Sequence, residues 1–438
     1  MKNQSNNIKT NVMRKVLVIS LVLALIGIKA SYASNDRNLK NARKDSVLYT
    51  TLTAKVVDQE TKKPVVFASV FQTGSNVGTV TNSDGEFILK IPGKSTEGTL
   101  SITSLGYKNK EVSISSILNG EKTIHLEQYA IPIEELVIRN LDPVDLIKTA
   151  IEKIHVNYNN SPEMQTGFYR ETIKQNRSYV SVSEAVLDIY NSGYKENFDF
   201  DRVRIYKGRK SKDVKKMDTI LVKFQGGPRT AMFLDIVKNP GVIFDPEMFE
   251  YYDYTLSGIV KVNDRDNYVI DFNQKIKTEY PLYQGKIYID MESFAITSVD
   301  FQISDMSLNN AAKMLVKKKP SSMKIDVEGG HYLVNYRDIN GTWVLNYVRS
   351  EVNFKIKWDK KLFKTNISTM FEMAITDRDT QHVEKFPYKV SVKYSDFLAD
   401  QVEVFEDKDF WGEYNVIKPD ESIEVAIKKL NRRLKRNQ

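Results

Sequence analysis

The chain has 438 residues, enough for roughly two or three domains. A hydrophobic content of 41%, with 23 Tyr and 20 Phe, excludes a disordered chain and favours β-strands. The formal charge of +8 lies at the chain ends, because basic residues are concentrated before position 34 and in the last eleven residues. No nucleic-acid partner is predicted, since that requires a basic stripe across the folded body.

The first 33 residues have the pattern of a secretory signal peptide. A basic region ending at Lys15 precedes an apolar run from Val16 to Ile28, and the small residues Ser31 and Ala33 follow. The run is shorter than the ~20 residues that a membrane-spanning helix needs. We therefore predict export, cleavage after Ala33, and no transmembrane span in the mature chain. The absence of Cys excludes a lipidated cysteine and any disulfide.

Residues 34–49 are polar and are predicted to form a flexible leader, and residues 50–128 a small Greek-key β-sandwich. Short alternating runs such as "LTAKVVD", "VVFASVFQT" and "EFILKI" are separated by turn residues, which is the pattern of a sandwich. The stretch "TVTNSDGEFIL" carries Asp84 and Glu86 as possible calcium ligands. We expect instead a turn over Asn82–Gly85, because the loop is too short for a twelve-residue calcium array. In this turn Asp84 is expected to cap the turn backbone, Gly85 to supply a positive φ, and Phe87 and Leu89 to point inward.

These residues resemble the carboxypeptidase-regulatory-like domain, a transthyretin-like β-sandwich. The resemblance is carried by a Val-x-Asp strand, the turn from Thr61 to Pro64, Gly-Thr-x-Thr at 78–81, Asp-Gly-x-Phe at 84–87, and Ser-Leu-Gly-Tyr at 104–107. One departure is Ala54, where the family usually has Gly. The resemblance implies an accessory module without catalytic residues, common in exported Gram-negative envelope proteins that include TonB-dependent receptors.

After a linker over 129–141, residues 142–400 are predicted to form a helix and a larger curved antiparallel sheet, a half-barrel. Asp142 is a suitable N-cap, Pro143 suits the first turn and Asp145 the capping-box position. One helix face carries Leu146, Ile147, Ala150, Ile151, Ile154 and Tyr158. About ten strands follow, and Asn340-Gly341 predicts a two-residue hairpin.

The hairpin "GKIYIDMESFAITSVDFQI" resembles one found in the outer-membrane lipoprotein-carrier (LolA-like) superfamily. That resemblance implies an open sheet around an apolar cavity, with the helix against its concave side. Residues 401–438 form a C-terminal segment in which Ile423, Ile427, Leu430 and Leu434 give one stripe of a basic amphipathic helix. That helix either docks by this stripe or touches anionic lipid.

No catalytic, cofactor-binding or metal residue is predicted. The four histidines, His125, His155, His331 and His382, lack zincin spacing. There is no Gly-x-Ser-x-Gly elbow and no Cys nucleophile, and "FQGGPRT" with Pro228 is expected to be a loop bend.

The acidic pairs and the aromatic residues are also given structural roles. Asp264 with Asp266 and Asp420 with Glu421 are expected to be turn clusters. Trp343, Trp358, Trp411 and the aromatics at 250–254 could line a sugar platform or lipid cavity, but sheet core is favoured.

The sequence therefore predicts a mainly β, non-enzymatic protein in the periplasm or on the periplasmic face of the outer membrane of a Gram-negative cell. We expect it to bind an apolar ligand or a partner protein through the curved sheet, the partner being a lipid, a lipoprotein or an outer-membrane protein. One alternative is an accessory component of a TonB-dependent uptake system. A second is a hydrolase with a non-local active site.

Overall fold

The computed structural model describes residues 23–25, 48–94, 96–131, 141–195, 200–212, 222–316, 321–359, 363–404 and 410–435. Residues 34–47 of the predicted leader and 132–140 of the predicted linker lie outside these ranges. Most of the predicted signal peptide does as well, except for a short strand, β1 (Leu23–Leu25), which pairs with β13 (Val222–Phe224).

The N-terminal region forms two facing sheets, of three and four strands. Alternation along β5 buries Phe87, Leu89 and Ile91, which are fully inaccessible, as the period-two pattern predicts. The elements are β2 (Tyr49–Asp58), β3 (Ser69–Gln72), β4 (Gly78–Val80), β5 (Glu86–Pro92), β6 (Thr99–Thr103), β7 (Lys110–Ser113), α1 (Ile114–Leu118) and β8 (Thr123–Leu126). The sheet orders are β5-β2-β8 and β4-β3-β6-β7.

The turn over Asn82–Gly85 is present, but its capping residue differs from the prediction. The Asn82 side-chain oxygen accepts from the backbone N–H of Asp84 at 3.0 Å and of Glu86 at 2.8 Å. Asp84 instead accepts from the backbone N–H of Glu421, 2.9 Å away. Gly85 has φ +75°, and a Cβ there would lie 2.5 Å from the carbonyl oxygen of Val56, so glycine is required.

The larger region is one open, mainly antiparallel sheet, which confirms the predicted fold class. Ten long strands run in the order β12-β11-β10-β20-β19-β18-β17-β16-β15-β14, with two-residue strands β21 and β9 at the edges. The strands are β9 (Ala130–Ile131), β10 (Glu163–Gln175), β11 (Ser178–Asn191), β12 (Arg202–Lys212), β14 (Tyr252–Val262), β15 (Arg265–Gln274), β16 (Tyr283–Asp290), β17 (Ile296–Ile303), β18 (Met323–Ile339), β19 (Thr342–Trp358), β20 (Thr365–Asp379) and β21 (Glu403–Val404).

Helices occur between and after these strands. Asp142 caps the first of them, accepting from the N–H of Val144 at 2.8 Å as predicted. The predicted single helix is interrupted at Lys153, the C-cap of α2, and a second short helix follows. After it, the side chains of Asn157 and Tyr158 donate to the backbone carbonyls of Ser293 and Ile296. The helices are α2 (Pro143–Glu152), α3 (Ile154–Asn157), α4 (Pro228–Phe233), α5 (Leu308–Leu315), α6 (Leu398–Gln401) and α7 (Glu421–Lys435), with 3-10 turns at Pro240–Val242, Pro246–Tyr251, Asp305–Ser307 and Tyr388–Val390.

The hairpin joining β18 to β19 has the predicted geometry. Asn340 and Gly341 both have positive φ, 53° and 85°, as a two-residue type I′ turn requires. Together with the pairing of β18 and β19 along their full length, this turn sets which residues point to each side of the sheet.

Candidate functional site

One face of the large sheet, the inner face, is covered by the chain's own segments. It carries Tyr169, Trp343 and Phe371, which pack in one core with Ile147 of α2 and Phe244. All five are at most 1% exposed. The resemblance to lipid carriers implied an open cavity on this face, but these described residues fill the space with side chains.

The polar groups of the inner face are largely paired with one another. Asp235 accepts from the hydroxyls of Tyr194 and Tyr336, both at 2.8 Å, and burial raises its pKa. Lys238 lies 2.7 Å from the carboxylate of Asp201 and 2.9 Å from the amide oxygen of Asn191. Such satisfied networks specify packing.

Glu171 on the inner face of β10 is different. Its carboxyl is buried, and the hydroxyl of Tyr169, 3.1 Å away, donates to it without a cation nearby. Burial raises the pKa of Glu171 to about 8, with a further contribution from the charge of Asp400.

The opposite, outer face holds the sandwich. Phe67 stacks on Tyr347 with ring centroids 5.4 Å apart, and the guanidinium of Arg349 lies 4.9 Å from the Phe67 ring centroid. Val80 of β4 joins Phe168 and Tyr347 in one buried cluster. The sandwich is therefore packed against the sheet and is not held by its linker alone.

A buried ion network lies beneath this contact. Arg170 is 1% exposed, and its Nε donates to Glu184 at 2.7 Å and its Nη1 to Glu372 at 2.9 Å. Its Nη2 donates to the carbonyl of Ile417 at 2.6 Å, which ties the C-terminal segment to the sheet. These bonds and the neighbouring Arg209 keep the pKa of Glu184 below its usual value despite burial.

The C-terminal segment contacts both the sandwich and the large sheet. Asp420 caps α7, accepting from the N–H of Ile423 at 2.7 Å, and it also accepts from the hydroxyl of Ser83 at 2.6 Å. Ile423 and Leu430 bury the predicted stripe against Val182 of β11. The helix thus docks through its apolar stripe, the first of the two predicted alternatives.

Between the sandwich and the large sheet lies a cleft of about 340 Å³. The backbone N–H of Gly106 donates to the carbonyl of Lys261 at 2.8 Å near one end, and Asn346 donates to the hydroxyl of Ser69 at 2.6 Å near the other. The cleft is lined by Pro64, Val65, Val66, Phe67, Ser69, Thr103, Ser104, Leu105, Tyr107, Val262, Asn263, Thr297, Ser298, Asp300, His331, Leu333, Asn335 and Tyr336.

Both walls of the cleft carry polar groups, and the ionisable pair comes from the large sheet. His331 lies 2.5 Å from Asp300, and this hydrogen bond raises the pKa of the imidazole. Both residues also line a shallow groove of about 290 Å³ that continues over the outer face across β15–β17. Phe67, on the sandwich side, has φ +58°, a strained conformation for an aromatic residue. The cleft and the groove together form an elongated, mixed polar and apolar surface.

The candidate residues from the sequence are scattered in the structure. Within the described ranges, no group of three or more His, Asp or Glu residues is arranged to hold a metal ion. Asp264 lies in a hairpin turn, Asp266 pairs with Lys261, and Trp343 and Trp411 are buried in the two cores. Sequence reasoning missed the cleft because its walls come from positions about 200 residues apart, with no local signal.

Residues 52–138 match the CarboxypepD_reg-like domain family. No curated protein matches the chain. The chain is similar to a solved DUF1329 family protein from Desulfovibrio piger, at 14% identity over 55% of this chain and 95% of that chain, with a TM-score of 0.21.

Two further solved structures are similar to this chain. One is a putative outer membrane lipoprotein-sorting protein domain from Vibrio parahaemolyticus, at 13% identity over 55% of this chain and 93% of that chain, with a TM-score of 0.23. The other is a LolA superfamily protein from Nitrosomonas europaea, at 10% identity over 58% of this chain and 99% of that chain, with a TM-score of 0.19. The family match over residues 52–138 agrees with the resemblance stated for the N-terminal sandwich.

Proposed function

We propose that this chain is a non-enzymatic binding protein of the cell envelope, and that the cleft takes an extended segment of a partner protein. The observation that carries the proposal is the cleft itself, about 340 Å³ between two β modules that pack against each other. Binding sites of roughly 300–1,000 Å³ occur preferentially at such domain interfaces.

The shape and chemistry of the site favour a polypeptide. Val66 and Leu105 of the sandwich offer apolar contacts, and the large-sheet wall opposite them carries Leu333 beside the hydrogen-bonded pair Ser298 and Asn335. The adjoining groove extends the surface beyond what a compact ligand would cover. An extended segment presents side chains alternately to two sides, which suits such a mixed surface.

The envelope location rests on the N-terminal sequence. A basic region, a thirteen-residue apolar run and small residues before position 34 are the parts of a secretory signal. Among the described residues, no helix has the length and apolar character needed to cross a membrane. The proposed partner is therefore a protein of the periplasm or the outer membrane, and a component of a TonB-dependent uptake system is one candidate.

The proposal is tested by photo-crosslinking in the cell. A photoreactive residue replaces Val66 at the cleft, and a matched control replaces Leu118, which is equally exposed at 40% on the far side of the sandwich. We expect a polypeptide adduct of one defined mass at position 66 and none at position 118. The adduct is lost when Ser104→Trp fills the cleft, while Ser116→Trp leaves it intact. A phospholipid adduct, the same adducts at both positions, or no adduct at position 66 would overturn the proposal.

A further inference from the structure

The exposed aromatic side chains are concentrated along one edge of the large sheet. Phe200, Tyr206 and Tyr388 are about half exposed, at 48%, 51% and 48%, and they are three of the four large aromatics so exposed among the described residues. Val390, at 49%, lies beside Tyr206 around an open cavity of about 640 Å³. Exposing such a cluster of apolar surface to water is unfavourable, and clusters of this kind mark interaction sites.

The same edge is strongly basic. The eleven residues of β12 include six Lys or Arg and no acid, and residues 383–393 add Lys385, Lys389 and Lys393 against Glu384 alone. We call β12 and residues 383–393 together the basic rim. Acidic side chains on neighbouring elements are Glu184, Asp188, Asp396, Asp400, Glu403 and Glu413, and the sum over all these groups is +2. Asp201, directly before β12, is paired with Lys238.

Cations and aromatic rings of the basic rim are interleaved. The guanidinium of Arg202 lies 5.1 Å from the centroid of Tyr388, and the ammonium of Lys385 lies 5.4 Å from that of Phe200. These cation–π contacts hold rings and charges on one surface. Beside the end of the rim, α7 packs on β11 and β12, with Lys428, Lys429 and Arg432 exposed.

Protection of an edge strand accounts for only part of this pattern. Lysines on an edge strand prevent pairing with another chain, and β21 pairs with β12 at only two residues, Arg209 and Lys210. That role needs charge but no exposed Tyr and Phe. Aromatic rings beside basic side chains are instead the composition of protein surfaces that rest at a membrane–water interface.

We propose that the basic rim binds peripherally to an anionic phospholipid surface, with Tyr206, Tyr388 and Val390 at the level of the headgroups. This inference concerns a surface other than the cleft. Five strand spacings of roughly 4.8 Å separate β12 from β18, which places the rim about 24 Å from His331 in the cleft. A protein resting on its rim would keep the cleft open to a partner.

Co-sedimentation with vesicles tests the proposal, using the chain from Ser34 onward, which contains both β regions and α7. Vesicles of phosphatidylglycerol and phosphatidylethanolamine are compared with vesicles of phosphatidylcholine alone. Each basic residue near an anionic surface contributes roughly fivefold to partitioning. The variant K385Q/K389Q/K393Q should therefore lose about a hundredfold, and Y206S/Y388S should also bind more weakly. The control K148Q/K275Q/K324Q removes three lysines elsewhere, all more than half exposed, and should bind as the parent does.

Binding should require the anionic lipid and weaken at high salt. No binding to anionic vesicles, equal binding to phosphatidylcholine, or an equal loss in the control would overturn the proposal. Competition by millimolar inorganic phosphate or glycerol phosphate would assign the rim to a soluble anion and also overturn it. Unchanged thermal unfolding of each variant excludes misfolding. Crosslinking at position 66 reports on the cleft alone. A negative result in the vesicle experiment would therefore not bear on the proposed function of the cleft.

Discussion

Replacing Glu171 with Gln should stabilise the protein, against the general tendency of buried substitutions. The carboxyl is buried on β10 and receives one hydrogen bond, from Tyr169. Burial raises its pKa from 4.5 to about 8. Between the two pKa values Glu171 is ionised in the unfolded chain but still protonated in the folded chain, which lowers the free energy of unfolding. The contribution of Glu171 to stability is therefore fully present below about pH 4.5 and is lost as pH rises toward 8.

The size of the effect follows from the two pKa values. At pH 7 the solution is about 2.5 pH units above the unfolded-state pKa and still below the folded-state pKa. The resulting loss in the free energy of unfolding is about 3 kcal/mol. Above pH 9 the cost approaches about 5 kcal/mol, and at pH 4 it is close to zero. Gln keeps the shape and the bond to Tyr169 but cannot ionise, so the gain in E171Q should follow this pH dependence.

Urea unfolding of the parent and E171Q at pH 4, 7 and 9 measures the difference. The control E292Q alters a glutamate whose side chain is 86% exposed and should change stability by less than about 0.5 kcal/mol. E184Q, on the outer face, should destabilise because it breaks the buried pair with Arg170. A gain for E171Q that is the same at all three pH values, or a loss at pH 7, would refute the reasoning.

Four further outcomes are expected. Arg170→Met leaves Glu184 and Glu372 buried without their cation and should cost about 3–5 kcal/mol in urea unfolding, whereas a neutral result would show that the network is dispensable. Asp420→Ala removes the cap of α7 and the bond from Ser83, and should cost about 1 kcal/mol and speed proteolysis after residue 410; unchanged cleavage would contradict it. Asp300→Asn should lower the pKa of His331 in an NMR titration, because the hydrogen bond to Asp300 is what raises it; an unchanged pKa would reject the pairing. Since the folded pKa is raised, the pair stabilises the fold below the usual histidine pKa, and this stabilisation is lost as pH rises through the folded pKa. Mass spectrometry of the exported protein should give an N-terminus at Ser34, and an intact Met1 would contradict cleavage.

Local physics explains which features were predictable. Phe87 and Leu89 occupy alternate positions of β5, and a β-strand points alternate residues to opposite sides, so they share one face of the sandwich. Asn340-Gly341 favours a type I′ turn whatever surrounds it. Asp142 caps α2 through a bond within its own first turn. Each case involves residues within a few positions of one another.

Asp84 shows where local reasoning ends. Asn82 and Asp84 can both cap the same turn, and Asn82 does so because Asp84 is taken by Glu421, 337 positions later. The packed inner face, the Arg170 network and the cleft likewise depend on which strands lie side by side and which segments cover them. The sequence alone determined the two β regions and their turns, and it predicts export, since these rest on short-range composition and periodicity. Tertiary structure alone decided where the cleft lies, because its walls are assembled from residues about 200 positions apart.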